Sequence, residues 1–293
     1  MSRVIREFRR RWLMPPGVHD ALTCFTTGFR SVFSPSRRSR LARVRRNREL
    51  RNRFRGRRAF VIGNGPSLAR QDLAPLAGEV TIVMNAFYRH PILQTGWRPT
   101  VHCMAEPAKA YDNPLLLELL RDCTSVSADI HLFPLEVRTI LESQQLLPPE
   151  KVRYADFWLD TSMYSPARLP NLAGPLPHMA NTAHLAIVVA MYLGCSPIYL
   201  LGLDHDWLAN RGIDRHFYAH QGPETVPGGL WDLRRYAYLQ VMESTARVWR
   251  EYIWLDRIAR SYGIEIFNAS DGGFLDVFPR ASYEEVAAVR RAA

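Results

Sequence analysis

The chain has 293 residues, 47% of them hydrophobic and 23% charged, with a formal net charge of +10 at pH 7. That is enough apolar material for one large domain or two small ones, and too much for a disordered chain. Cys24, Cys103, Cys123 and Cys195 show no Cys-x-x-Cys pair and no regular spacing, so neither a disulfide framework nor a zinc knuckle is indicated and a reducing, cytosolic setting fits best. No window of about 18 uninterrupted apolar residues occurs, and the first residues lack the apolar core and small-residue cleavage site of a signal peptide.

The charge is unevenly spread. Residues 1–58 hold 18 Arg against Glu7, Asp20 and Glu49, whereas the remainder is net acidic. This shift divides the chain near Arg58 into a basic N-terminal extension, 1–58, and a body, 59–293, in which any catalytic site is expected. Within the extension, Val4, Ile5, Phe8 and Trp12 recur at helical spacing among Arg3, Arg6, Arg9, Arg10 and Arg11. The pattern suits a helix lying on an anionic membrane surface, here the inner face of the cytoplasmic membrane, or one packed on the body with a solvated Arg face. Nucleic acid is disfavoured, because Phe54 is the lone aromatic between Arg37 and Arg58 and stacking residues are not interleaved with the charges.

From residue 59 onward, short β-branched runs alternate with helical patterns. In chain order the strands are predicted at 59–62, 80–84, 100–104, 130–133, 198–201 and 265–267. Helices are predicted at 114–123, 135–145, 182–193 and 231–262. Between 156 and 179, Pro166, Pro170, Gly174, Pro175 and Pro177 mark a loop-like segment with the character of a mobile lid. The fold class is therefore α/β, a mostly parallel Rossmann-like sheet flanked by helices, preceded by a basic helical extension.

The first strand ends on Gly63-Asn64-Gly65-Pro66-Ser67-Leu68. Gly63 and Gly65 lack a Cβ and let a ligand approach the backbone, Pro66 can open a helical turn whose N–H groups attract an anion, and Ser67 adds a hydroxyl. The spacing is neither the dinucleotide fingerprint nor a Walker loop, which disfavours nicotinamide and P-loop chemistry; an unliganded strand-to-helix turn is the plain alternative. Asn85, Glu106 and the run Asp204-His205-Asp206 follow later strands, where open sheets place their chemistry and where Asn and Asp also serve as simple caps. A second polar concentration contains Arg215, His216 and His220. A neutral imidazole there could take a proton from an acceptor hydroxyl, with Arg215 stabilising a departing phosphate. Alternatively Asp204, His205, Asp206, His216 and His220 could gather a divalent metal.

The glycine loop, Asn85, Asn181-Thr182-Ala183 and Ile198-Tyr199-Leu200-Leu201-Gly202-Leu203-Asp204 together resemble a superfamily with two branches. One contains the bacterial CMP-sialic-acid-dependent sialyltransferases and flagellin nonulosonate transferases, the other the 6-hydroxymethylpterin diphosphokinase MptE-like proteins. The run from Ile266 to Arg280, with Asp271-Gly272-Gly273-Phe274 inside it, is similar to the MptE-like branch in particular, as are Asp204-His205 and His216-Phe217. The sialyltransferase resemblance implies that Gly63, Asn64, Gly65 and Ser67 cradle the nucleotide phosphate, that Asn85 contacts the nucleotide or sugar, and that Thr182 stands where a Ser serves the donor. It also implies a His base in the loop after Asp204, for which His216 and His220 compete, while Asp206 occupies the place of a Tyr. The favoured expectation is a glycosyltransferase with a CMP-linked sugar donor, a glycan or lipid-linked acceptor and no obligatory metal. Its rival is an ATP-dependent diphosphotransferase requiring Mg2+, for which Asp204 and Asp206 are the metal ligands.

Overall fold

The computed structural model describes residues 35–105, 114–159, 168–209, 216–218 and 237–289. Eight strands form one parallel sheet: β1 (Ala59–Ile62), β2 (Val80–Met84), β3 (Val101–Cys103), β4 (Ile130–Pro134), β5 (Val152–Leu159), β6 (Pro175–Pro177), β7 (Ile198–Leu201) and β8 (Ile266–Asn268), in the order β6-β5-β4-β3-β2-β1-β7-β8. The chain builds outward from β1 on one side through β6, then returns to place β7 and β8 on the other. The strand order thus reverses between β1 and β7, and the crevice at their carboxyl ends is where open α/β sheets hold ligands.

The six described α-helices are α1 (Pro35–Val44), α2 (Pro114–Cys123), α3 (Arg138–Ser143), α4 (Thr182–Tyr192), α5 (Tyr238–Ser261) and α6 (Tyr283–Ala288). Every residue of β1 and β2 is buried, as a parallel strand covered on both faces requires. Ala59 and Val61 join the cluster built around α4, whereas Phe60 and Ile62 join Leu68, Phe87 and Leu201 on the opposite face. All eleven residues of α4 are buried; this helix lies on β1, β2 and β3 with α5 packed against it. No helix among the described residues is long and apolar enough to cross a membrane.

Several expectations need correction. The segment 156–179 is not simply a lid: β5 runs through its start and β6 lies near its end. The Val152–Leu159 strand escapes a pattern search because Arg153 and Asp156 interrupt it, yet both are buried and neutralised. Arg153 pairs with Glu49, and Asp156 accepts from Arg40, whose Nε lies 2.8 Å away. Prolines are tolerated in β6 because it is the edge strand. The long C-terminal helix is described from Tyr238, and α3 spans only Arg138–Ser143 after a tighter turn at Leu135–Val137.

The arginine-rich stretch before β1 folds onto the body. Asn47 Nδ2 donates to Tyr154 O and Leu172 O at 2.8 and 2.7 Å, Leu50 enters the main core, and the N–H groups of Asn52, Phe54 and Gly56 donate to the last carbonyls of the α4 region, Tyr192, Leu193 and Gly194. The amphipathic segment at residues 1–15 lies outside the described residues.

Candidate functional site

At the switch point the loops after β1 and β7 interlock. The N–H groups of Gly63 and Gly65 donate to Leu201 O and Gly202 O, both at 2.8 Å. A Cβ on Gly63 would fall 2.4 Å from Gly202 O, and one on Gly65 would fall 2.3 Å from Asp204 Oδ2. The glycines are therefore required, though by a different close approach from the one expected: they admit the neighbouring loop. Pro66 opens a short 3-10 turn, as expected, but the Ser67 N–H at its start already donates to Asp204 Oδ2 at 2.9 Å. A carboxylate of this chain occupies the place assigned to phosphate.

Asp204 is buried, and burial pushes its carboxyl above the ordinary value against the lowering effect of hydrogen bonds from Ser67. Its Oδ1, like Asn64 Oδ1, is buried and finds no hydrogen-bond donor among the described residues. The segment after β8 seals the far side. Phe274 N donates to Asp204 O at 2.7 Å, Leu203 N donates to Ser270 Oγ at 3.1 Å, and Gly273, at φ +77°, passes so close that a Cβ would lie 2.5 Å from Asp204 Cα.

On the β2 side, Asn64 Nδ2 donates to Met84 O at 3.0 Å, beside Asn85. Asn85 has left-handed backbone, φ +48°, and its carbonyl is held by Cys123 Sγ at 3.1 Å and by His102 Nε2 at 2.9 Å. Burial lowers the His102 pKa to about 4, so the ring is neutral, and because a carbonyl can only accept, Nε2 carries the proton. So fixed, the Asn85 side chain accepts from Thr182 Oγ1 at 3.1 Å. Thr182 begins α4, whose N-cap is Asn181, accepting from His184 N at 3.0 Å. Asn64, Asn85, Thr182 and Asp204 are thus brought together at the carboxyl ends of β1, β2 and β7 and the positive end of a buried helix.

His216 belongs to a described trio, 216–218, docked on this loop: Phe217 N donates to Asn64 O at 2.9 Å, and the Phe217 ring packs on His90 with centroids 4.9 Å apart. The His216 and Tyr218 rings stack at 4.9 Å, and the Arg89 guanidinium lies 4.7 Å from the Tyr218 centroid. Glu106, Arg215 and His220 lie outside the described residues. Among the described residues no cluster of three or more His, Cys, Asp or Glu side chains forms a metal site; the charge of Asp206 adds to the upward push on Asp204.

His205 is enclosed by aromatic rings. Its Nε2 is 2.6 Å from the Tyr252 hydroxyl, and Trp207 and Trp249 pack around it. Burial, reinforced by His184, lowers its pKa to about 3, so it is neutral at physiological pH. Behind it His184 Nδ1 lies 3.0 Å from Glu251 Oε2, which also accepts from Ala180 N at 2.7 Å. These α5 partners carry no sequence signal, being about seventy positions from α4. Burial alone would push the Glu251 carboxyl up, but His184, Ala180 N–H and Arg247 outweigh it and the group titrates below its ordinary 4.5. A depressed carboxylate contributes stability that is full above the ordinary value and is lost as pH falls through the folded-state value. Glu251→Gln should therefore lower Tm at neutral pH, and the gap to the parent chain should close as pH falls below about 4.5; parallel melting curves over that range test this.

No family model matches the chain, and no curated protein matches it. Among solved structures, a MAf glycosyltransferase from Magnetospirillum magneticum AMB-1 is 18% identical over 86% of this chain, with a TM-score of 0.46. This chain covers only 38% of that protein's length. The sialyltransferase CstII from Campylobacter jejuni, in complex with cytidine-5'-monophosphate, is 13% identical over 78% of this chain and 86% of its own, with a TM-score of 0.44. A further structure of that sialyltransferase, with a trisaccharide acceptor and CMP, is 14% identical over 77% of this chain and 86% of its own, also with a TM-score of 0.44.

Proposed function

We propose that the protein is a glycosyltransferase that binds a CMP-linked sugar in the β1/β7 crevice and passes the sugar to a hydroxyl of a glycan or lipid-linked precursor. The observation that carries this reading is the convergence of Asn64, Asn85, Thr182 and Asp204 on the switch point, with His216 held beside Asn64. Amides, hydroxyls and one carboxylate suit sugar and ribose hydroxyls and a single phosphate. Because Asp204 fills the Ser67 turn, the phosphate is assigned to the N-terminal turn of α4, where the helix dipole favours an anion. His216 accepts the acceptor's proton as its oxygen attacks the anomeric carbon; the carbon–oxygen bond to phosphate breaks and CMP leaves with the electron pair, its charge met by the α4 turn and the Thr182 hydroxyl. His220 is the other histidine assigned to this proton by the sequence.

The second reading, a magnesium- and ATP-dependent diphosphotransferase, draws on Asp204 Oδ1 as an uncommitted carboxylate oxygen and on Asp206, ligands of the type a hard cation takes. Calorimetric titration of the full chain with CMP and with ATP, each in magnesium and in EDTA, separates the two. CMP binding that survives EDTA is the expected result; ATP binding only with magnesium favours the second reading, and absence of CMP binding in both media overturns the first.

A further inference from the structure

We infer that the groove between α1 and the chain linking α3 to β5 is a docking site for the anionic phospholipids of a bilayer surface. The groove has a volume of about 1020 Å³ and is lined by Arg43 and Arg46 on the α1 side and by Leu146, Leu147, Pro148 and Arg153 on the other. The stretch that carries Arg43 and Arg46 also exposes Arg38, Arg45, Arg48, Arg51, Arg53 and Arg55. Of the carboxylates near the groove, Glu142 pairs with Arg138 and Glu49 with Arg153 and, at 3.6 Å, Arg46, and Glu150 is exposed. The surplus is strongly positive and sits over an apolar floor.

An occupant of such a groove must be both anionic and amphiphilic, which is the chemistry of a phospholipid. A nucleic acid would leave the aliphatic floor unused, and Phe54, the lone aromatic of the stretch, already lies under Arg53 and Arg57, each 5.5 Å from its centroid. The groove wall at 148–152 leads into the amino end of β5, whereas the crevice opens at the carboxyl ends of the strands. A bilayer docked here leaves the crevice clear. The inference does not depend on the transferase reading.

The test is flotation of the full chain with vesicles of phosphatidylcholine, alone or mixed with phosphatidylglycerol, at low and high salt. Binding to the mixed vesicles, weakened by salt, is expected. Arg43→Glu with Arg46→Glu should cut it by about tenfold or more, and the milder Arg43→Gln with Arg46→Gln by less, reflecting the usual worth of a basic side chain near an anionic surface; melting curves report whether each variant folds. Partitioning of the Glu variant equal to the parent's overturns the inference, because residues 1–34 are intact in it. Equal binding to neutral vesicles, binding to neither, or tighter binding to a duplex DNA fragment overturns it as well.

Discussion

Gly65→Ala is expected to abolish nucleotide binding and to lower the stability of the whole protein by about 3 kcal/mol, the upper end of ordinary overpacking costs, or roughly 6–10 °C in Tm. The methyl would lie 2.3 Å from Asp204 Oδ2 and 2.7 Å from Gly202 O. The carboxylate could rotate away, but only by giving up the Ser67 N–H at 2.9 Å, and the Gly202 carbonyl is itself fixed by the Gly65 N–H at 2.8 Å. Relief therefore requires the β1 and β7 loops to separate, which opens the floor of the crevice. Gly78 supplies the control. It has φ +83° and nothing within 4 Å of an added Cβ, so Gly78→Ala should cost about 1 kcal/mol of backbone strain and leave nucleotide affinity unchanged. Thermal melts and CMP titrations on the two variants check both effects; equal behaviour of Gly65→Ala and Gly78→Ala would mean that the loop contact is not what holds the site.

That contact shows where sequence reading reaches its limit. The apolar runs at 59–62, 80–84 and 198–201 are legible because each is wholly or almost wholly buried and ends on Gly or Asn, and the polar residues read from their ends, Asn64, Asn85 and Asp204, lie at the carboxyl ends of adjacent strands. The helix of Thr182 is equally legible, since its apolar residues are continuous. A strand-to-helix turn, however, looks the same in sequence whether its N–H groups await a ligand or face a carboxylate 137 positions away. The Val152–Leu159 strand fails for the same reason: Arg153 and Asp156 read as solvent-exposed until Glu49 and Arg40 are folded beside them. Charge composition likewise sets residues 35–58 apart as part of an extension, while burial of Asn47 and Leu50 decides where that stretch lies.

The second large effect is expected at Asn85, where backbone and side-chain roles can be separated. Its left-handed conformation, φ +48°, suits Asn and Gly and penalises Ala by about 1 kcal/mol. Asn85→Gly should therefore keep the backbone, with its carbonyl still held by His102 and Cys123, and lose only the amide that receives the Thr182 hydroxyl at 3.1 Å. We expect CMP affinity to fall about tenfold in Asn85→Gly, the worth of one hydrogen bond from the amide to the ligand, with Tm lowered only as far as losing the Thr182 hydrogen bond, roughly 1 kcal/mol, requires. Asn85→Ala should lose the same affinity and also melt earlier. If the amide served the structure alone, both variants would lose stability while the folded fraction of each bound CMP as the parent does. Titration and melting of the two variants side by side thus separate a ligand-facing Asn85 from a turn residue that happens to end a strand.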